Sequence, residues 1–273
     1  MSDTRPTLTF AQAHQTVCDL VESFARYEQT RYLQSSYQEA EARKDFIDPL
    51  LKALGWDVDH ERQRNPYEQE VKVERTLTVY NAHAQKRADY AFYLAPNFRD
   101  VRFYVEAKKP AIDLASSADS FFQTLRYGYS AGTPLALLTN FSEIIVLDCR
   151  RRPHPDSALQ QCYKRWHYSE LRDADKFAEF YWLFSREAHA DGSWLRRIEE
   201  MPKPRGGAKQ RGLFKGGYQS VDESFLLDLA DYRETLAKAF KKADTTLDSP
   251  VLTELVQRTI DRLVFMRFLE DKQ

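Results

Sequence analysis

The segment RADYAFYLAPNFRDVRFYVEAKKP (87–110) holds two apolar runs, Ala88 to Leu94 and Val101 to Ala107, each the length of one strand. The linking APNFRD (95–100) carries turn chemistry, so the two runs are expected to form a hairpin. Each run also carries an acid where a core strand should be apolar: Asp89 in the first and Glu106 in the second. Burying a carboxylate costs several kcal/mol unless a partner offsets it. Side chains two apart on a strand share a face, so Glu106 and Lys108 point the same way. If the two strands pair, Asp89 can lie beside Glu106. Two converging carboxylates repel unless a hard cation lies between them, and Mg²⁺ takes such oxygen ligands together with water. Lys108 can then position or deprotonate a water, or neutralise a phosphate.

Outward from this hairpin the chain reads as α/β. Val17, Leu20, Val21 and Phe24 recur at helical spacing. Phe46, Ile47, Leu50, Leu51 and Leu54 form a second amphipathic helix ending at Gly55, with Pro49 inside it as a point for a kink or break. Val71, Val73, Leu77 and Val79 predict a long half-buried strand. Ser116 to Tyr129 predicts a helix, and LALLT (135–139) and IIVLD (144–148) predict buried strands joined by NFSE (140–143). After the basic exit RRRPHPD (150–156) the chain is expected to turn helical, with KFAEFYWLF (176–184) as one element. Ser224 to Phe240 and the segment from Val251 onward are also helical in pattern. The apolar stripe continues to the final residues. The last helix is therefore expected to pack on the body of the protein or on a segment beyond Gln273.

At 273 residues the chain is long enough for a full core and an accessory region. A 42% apolar and 13% aromatic composition excludes a disordered chain, and a net charge of −1 excludes a generally basic binder. Cys18, Cys149 and Cys162 are scattered without zinc spacing and fit a reducing cytoplasm. No run reaches transmembrane length, so no membrane partner is expected. The six histidines lack metal-ligand spacing, and there is no Walker A lysine motif. Asn65-Pro66-Tyr67 is read as a turn.

Asp89, sixteen residues, then Glu106-x-Lys108 resembles the PD-(D/E)xK nuclease motif, with Ala88 standing where the motif name has proline. QEAEARKDFIDPLLKALGWD (38–57) resembles the first helix of restriction-enzyme nuclease domains found at the N-terminus of type I restriction subunits and of single-chain type IIG restriction-modification enzymes. The family places correspond to Glu39, Arg43, Pro49, Leu50, Leu51, Gly55 and Trp56. FFQTLRYGYSAGTPLALLTNFSEIIVLD (121–148) is similar to the helix-strand-strand half of the same domain, with Gln123 and Tyr127 in its Gln-x-x-x-Tyr element. VDESFLLDLADYRETLAKAF (221–240) and LTELVQRTIDRLVFMRFLEDK (252–272) resemble the helical connector that precedes a type IIG methyltransferase domain.

The resemblance implies a restriction-endonuclease-like α/β core, a mixed central sheet flanked by helices, over residues 1–170. A helical connector with a basic glycine-rich loop (201–217) would fill 171–273. It implies Mg²⁺-dependent cleavage of double-stranded DNA, with Mn²⁺ able to substitute, leaving a 5′-phosphate and a 3′-hydroxyl. Asp89, Glu106 and Glu39 would be the metal residues, with Glu41 the rival to Glu39. Lys108 would assist the water, and Gln123 and Tyr127 would support the site. A methyltransferase or specificity domain in the same chain or complex is a further expected partner. Two alternatives stand beside the type IIG reading: a type I subunit nuclease domain, and a DNA-binding or assembly module that does not cut alone. Cleavage of RNA or single strands is a third. Arg62, Arg64, Lys86, Arg87, Lys109, Arg150 to Arg152 and the lysines and arginines of 201–217 are the candidate phosphate contacts. The loop itself reads either as a DNA-ordering segment or as a solvated linker.

Overall fold

The computed structural model describes residues 8–30, 33, 36–63, 65–77, 86–202 and 221–270. It divides into two compact units, Met1–Tyr218 and Gln219–Gln273. Most of the glycine-rich loop, from 203 to 217, lies outside the described residues, as do Val79 and Arg64.

The first unit is built on a six-stranded mixed sheet in sequential order: β1 (Val71–Leu77), β2 (Lys86–Phe92), β3 (Phe103–Ala107), β4 (Leu135–Thr139), β5 (Glu143–Asp148) and β6 (Cys162–His167). β3 and β4 pair in parallel, and the other neighbours are antiparallel. The short connections make hairpins, whereas the parallel step needs a crossover, which helix α3 (Ala118–Ser130) supplies. This is the α/β restriction-endonuclease-like architecture expected from the sequence. Strand β6 is a departure: the chain was expected to turn helical after residue 156. In CYKRWH only Trp166 is buried, because β6 is an edge strand with one covered position, and no apolar alternation announces it.

Helices cover both faces of the sheet. On one face α1 (Phe10–Glu28) turns Ala13, Val17, Val21 and Phe24 inward. It starts with a reciprocal cap: Gln12 N–H donates to Thr9 Oγ1, and Thr9 N–H donates to Gln12 Oε1. Phe24 meets Phe46, Phe141 and Tyr168 at ring-centroid distances of 5.0, 4.9 and 4.7 Å. Helix α2 comprises Glu39–Ala42, a π-helical turn Arg43–Ile47, and Asp48–Ala53. In the π turn Asp48 N–H bonds the Arg43 carbonyl five residues back, one residue before Pro49, which has no N–H to give. The helix ends on Gly55 at φ 92°, with Gly55 N–H donating to the Lys52 carbonyl and Trp56 N–H to the Leu51 carbonyl. On the other face α3 packs Phe121 and Leu125 over Ala136, Leu138, Ile145 and Leu147. Gly128 lets α3 lie close to β5, since a Cβ there would come within 2.8 Å of Cys149 Cβ.

Helices α4 (Ala174–Phe184), α5 (Arg186–Asp191) and α6 (Ser193–Glu199) follow β6. Phe177, Phe180, Tyr181 and Phe184 join the same core as Val17, Phe24 and Phe103. Trp56 Nε1 donates to the Phe184 carbonyl at 2.7 Å, and Arg186 grips Glu70 through both of its oxygens. Residues 174–199, assigned by the sequence reading to a connector beyond residue 170, thus pack within the sheet's own unit, which runs to Tyr218. In the second unit α7 (Val221–Ala243) and α8 (Ser249–Glu270) form a helical pair, with Arg233 donating to Gln257 Oε1 at 2.9 Å. Among the described residues no helix is long and apolar enough to cross a membrane.

His189 on α5 is buried against Trp56, Phe103 and Trp194, stacking on the last at 4.5 Å. Nε2 contacts the Leu183 carbonyl at 3.1 Å, and Nδ1 has no hydrogen-bond partner among the described residues. Burial pushes its pKa down to about 3. The unfolded chain therefore takes up this proton first as pH falls. Its contribution to stability is complete above the ordinary histidine range and is lost on acidification. Urea unfolding is expected to show this contribution falling from about pH 7 down to about pH 3, with a smaller drop in His189→Leu.

Candidate active site

The hairpin of β2 and β3 opens at the residues that matter. The ladder runs Phe92↔Phe103, Ala91↔Tyr104, Tyr90↔Val105 and stops there, one step short of Asp89 and Glu106. There the strands exchange a side chain for a backbone bond: Ala107 N–H donates to Asp89 Oδ2 at 2.8 Å. On its other side β3 stays paired with β4, Glu106 opposite Leu138, and Lys108 N–H donates to the Thr139 carbonyl at 2.9 Å. The opening of the hairpin puts both acids at one end of β3, on the face covered by α3.

Glu106 is 2% exposed. Its Oε1 accepts from Lys108 Nζ at 2.5 Å and from Gln123 Nε2 at 2.7 Å. Gln123 Nε2 also lies 2.9 Å from the Tyr127 hydroxyl, one helical turn along α3. Glu106 Oε2 is buried with no hydrogen-bond partner among the described residues. Burial, then Asp89 and more weakly Glu39, push the Glu106 pKa up to about 7 against the opposing pull of Lys108. Burial and the neighbouring Glu106 push the Tyr127 hydroxyl up to about 12.

Glu39, at the start of α2, has its pKa raised by burial and by Asp89, with Lys108, Arg43 and Lys109 pulling the other way. Its charge is therefore felt at the site. Glu41 is otherwise engaged, closing the helix start by accepting from Gln38 N–H at 2.7 Å. Asp89, Glu106, Lys108, Gln123 and Tyr127 are linked by contact or charge, and Glu39 joins them through charge. Among the described residues no three His, Cys, Asp or Glu side chains gather closely enough to hold a metal ion. The acids do not form a ready three-carboxylate cage. The donor set that fits a cation is the pair Asp89 and Glu106 with the unpartnered Oε2. Mg²⁺ suits such a pair, because it commonly binds one or two carboxylates and completes its shell with water and substrate phosphate.

Two residues at the site were not read from the sequence as site residues. Arg43 Nη1 lies 3.6 Å from Asp89 Oδ1, and Arg43 Nε donates to the Tyr90 hydroxyl at 3.1 Å. Arg43 stands four residues after Glu39, one turn along the same helix face, which is a usable signal. Tyr90 gave none, since it reads as an ordinary core residue of β2. Some expected phosphate contacts are structural. Arg150 is buried and forks onto Asp148 at 2.8 and 2.7 Å while bonding the Pro202 carbonyl, and Arg62 donates to the Gly55 carbonyl. Asn65-Pro66-Tyr67 forms the expected turn, with Tyr67 N–H on Asn65 Oδ1 at 2.9 Å.

A protein of Escherichia coli, the type II restriction enzyme and methyltransferase RM.Eco57I, is 32% identical to this chain over 246 residues. The match covers 88% of this chain and 23% of that protein, so the chain spans about a quarter of its relative's length. No family model matches the chain. No solved structure matches it.

Gln123→Ala would leave Glu106 Oε1 with one donor fewer and strip a partner from the Tyr127 hydroxyl. Urea unfolding of the metal-free protein is expected to show a loss of about 1–3 kcal/mol. Gln123→Glu is expected to cost more, because it sets a further carboxylate against Glu106.

Proposed function

We propose that this chain is the DNA-cleaving part of a restriction-modification enzyme, a Mg²⁺-dependent endonuclease of the PD-(D/E)xK kind. The observation that carries the reading is the buried Glu106 carboxylate. One oxygen is fixed by Lys108 and Gln123, the other has no hydrogen-bond partner among the described residues, and the charge of Asp89 acts on it from the next strand. A buried acid so arranged asks for a cation. The likeness to RM.Eco57I supports a restriction-system role and fits DNA as the substrate and a methyltransferase segment as companion.

Asp89 and Glu106 would hold the ion. When bound, it would withdraw charge from a phosphoryl oxygen and make a nearby water more acidic. Gln123 keeps Glu106 Oε1 occupied, so that Oε2 is the oxygen offered. Lys108 brings positive charge to the developing charge on the phosphate and is placed to orient the attacking water. It can do so because its stem rises from the end of β3 two residues beyond Glu106. Glu39 adds negative charge at the rim. Attack at phosphorus with loss of the 3′ oxygen leaves the 5′-phosphate and 3′-hydroxyl that the family resemblance implies.

The test is incubation of the purified chain with supercoiled plasmid and Mg²⁺ or Mn²⁺. Nicked and linear products are expected, abolished by EDTA. Asp89→Asn, Glu106→Gln and Lys108→Ala are each expected to lower the rate by at least ~100-fold. DNA retention without cutting under every metal condition would overturn the cleavage reading in favour of a binding module. Equal or faster cleavage of RNA or single strands would overturn the substrate.

A further inference from the structure

Asp48, Tyr90 and Arg43 form a polar chain that the proposed reaction does not use directly. Tyr90 lies on the face of β2 away from Asp89 and is 1% exposed. Its hydroxyl donates to Asp48 Oδ1 at 2.6 Å and accepts from Arg43 Nε at 3.1 Å. The Arg43 guanidinium carbon stands 4.8 Å from the Tyr90 ring centroid. From there Nη1 reaches Asp89 Oδ1, while Asp89 Oδ2 accepts from Ala107 N–H. Strand β3 thus holds Asp89 Oδ2 by a hydrogen bond, and the Arg43 charge on helix α2 faces Oδ1 from 3.6 Å.

The helix is deformed in the way this chain needs. In a regular α-helix residues five apart point about 140° away from each other. Arg43 and Asp48 are five apart, yet both meet one hydroxyl. The π turn between them, closed by Asp48 N–H on the Arg43 carbonyl, stacks one above the other. Tyr90 then acts as a spacer between opposite charges. It stops Arg43 from collapsing onto Asp48 and leaves the outer end of the guanidinium for Asp89.

We infer that Arg43, Tyr90 and Asp48 are positioning residues that preset the Asp89 carboxylate for the divalent cation. This rests on the reading of Asp89 and Glu106 as the metal pair. Groups that orient a ligand typically contribute 10–100-fold, roughly, in metal affinity or activity.

The experiment measures Mn²⁺ binding to the whole 273-residue chain without DNA, from the paramagnetic resonance signal of the free ion. Tyr90→Phe keeps the ring, the packing and the Arg43 charge but removes the spacer hydroxyl. Its Mn²⁺ dissociation constant is expected to rise ~10-fold or more. At saturating Mn²⁺ its plasmid-cleavage rate should recover toward wild type, since both metal ligands remain. Arg43→Lys, which keeps charge but loses the planar fork spanning Tyr90 and Asp89, is expected to show the same loss and serves if Tyr90→Phe does not fold. Asp89→Asn separates this inference from the reading beneath it. If Asp89→Asn abolishes binding while Tyr90→Phe and Arg43→Lys bind as wild type, the positioning role is overturned and the metal pair stands. If Asp89→Asn leaves Mn²⁺ binding unchanged, the metal pair is overturned and the positioning role with it.

Discussion

A carboxylate buried between a sheet and a helix governs this molecule. Glu106 could have been an apolar residue, as Val105 and Ala107 beside it are. Instead the fold supplies it with one ammonium and one amide on the same oxygen and, among the described residues, no hydrogen-bond donor on the other. Desolvation without full compensation is costly, and Asp89 beside it adds repulsion. Such an arrangement sacrifices stability locally and is sustained by the rest of the core. The aromatic packing of Phe24, Phe46 and Phe141 on the far face, and Phe121 and Leu125 on the near face, hold the sheet rigid around it.

The sheet topology follows from the same requirement. An antiparallel partner on one side of β3 brings Asp89 onto the Ala107 N–H, and a parallel partner on the other requires the crossover that α3 supplies. Gln123 and Tyr127 lie on the face of that crossover helix turned toward Glu106. The close approach at Gly128 fixes how deep α3 settles. On the opposite face the π turn of α2 carries Arg43, whose Nη1 stands 3.6 Å from Asp89 Oδ1. The site is held between two helices that pack on different faces of one sheet.

Much of this was legible before any coordinates. Period-two patterning gave β1, apolar runs gave β2 to β5, and the acids of β2 and β3 stood out because they interrupt those runs. Strand β6 was hidden because an edge strand covered at one position carries no alternation. The membership of α4 to α6 in the first core was hidden because an amphipathic stripe shows that a helix packs but not on what. Arg150 read as a candidate phosphate contact because its partners, Asp148 and the Pro202 carbonyl, meet it only in the fold. Tyr90 could not be marked at all, since nothing in a strand pattern distinguishes a core phenol that bonds from one that merely packs.

Glu106, Lys108, Gln123 and Tyr127 all belong to one strand-helix-strand segment from Phe103 to Thr139, and the adjoining hairpin strand adds Asp89. Genetic exchange with breakpoints outside residues 86–139 would therefore transfer these side chains as a block, already in register. Glu39 and Arg43 would come from whichever parent supplied α2. Chimaeras of this kind would mix the inherited chemistry of one ancestor with the helical layer of another.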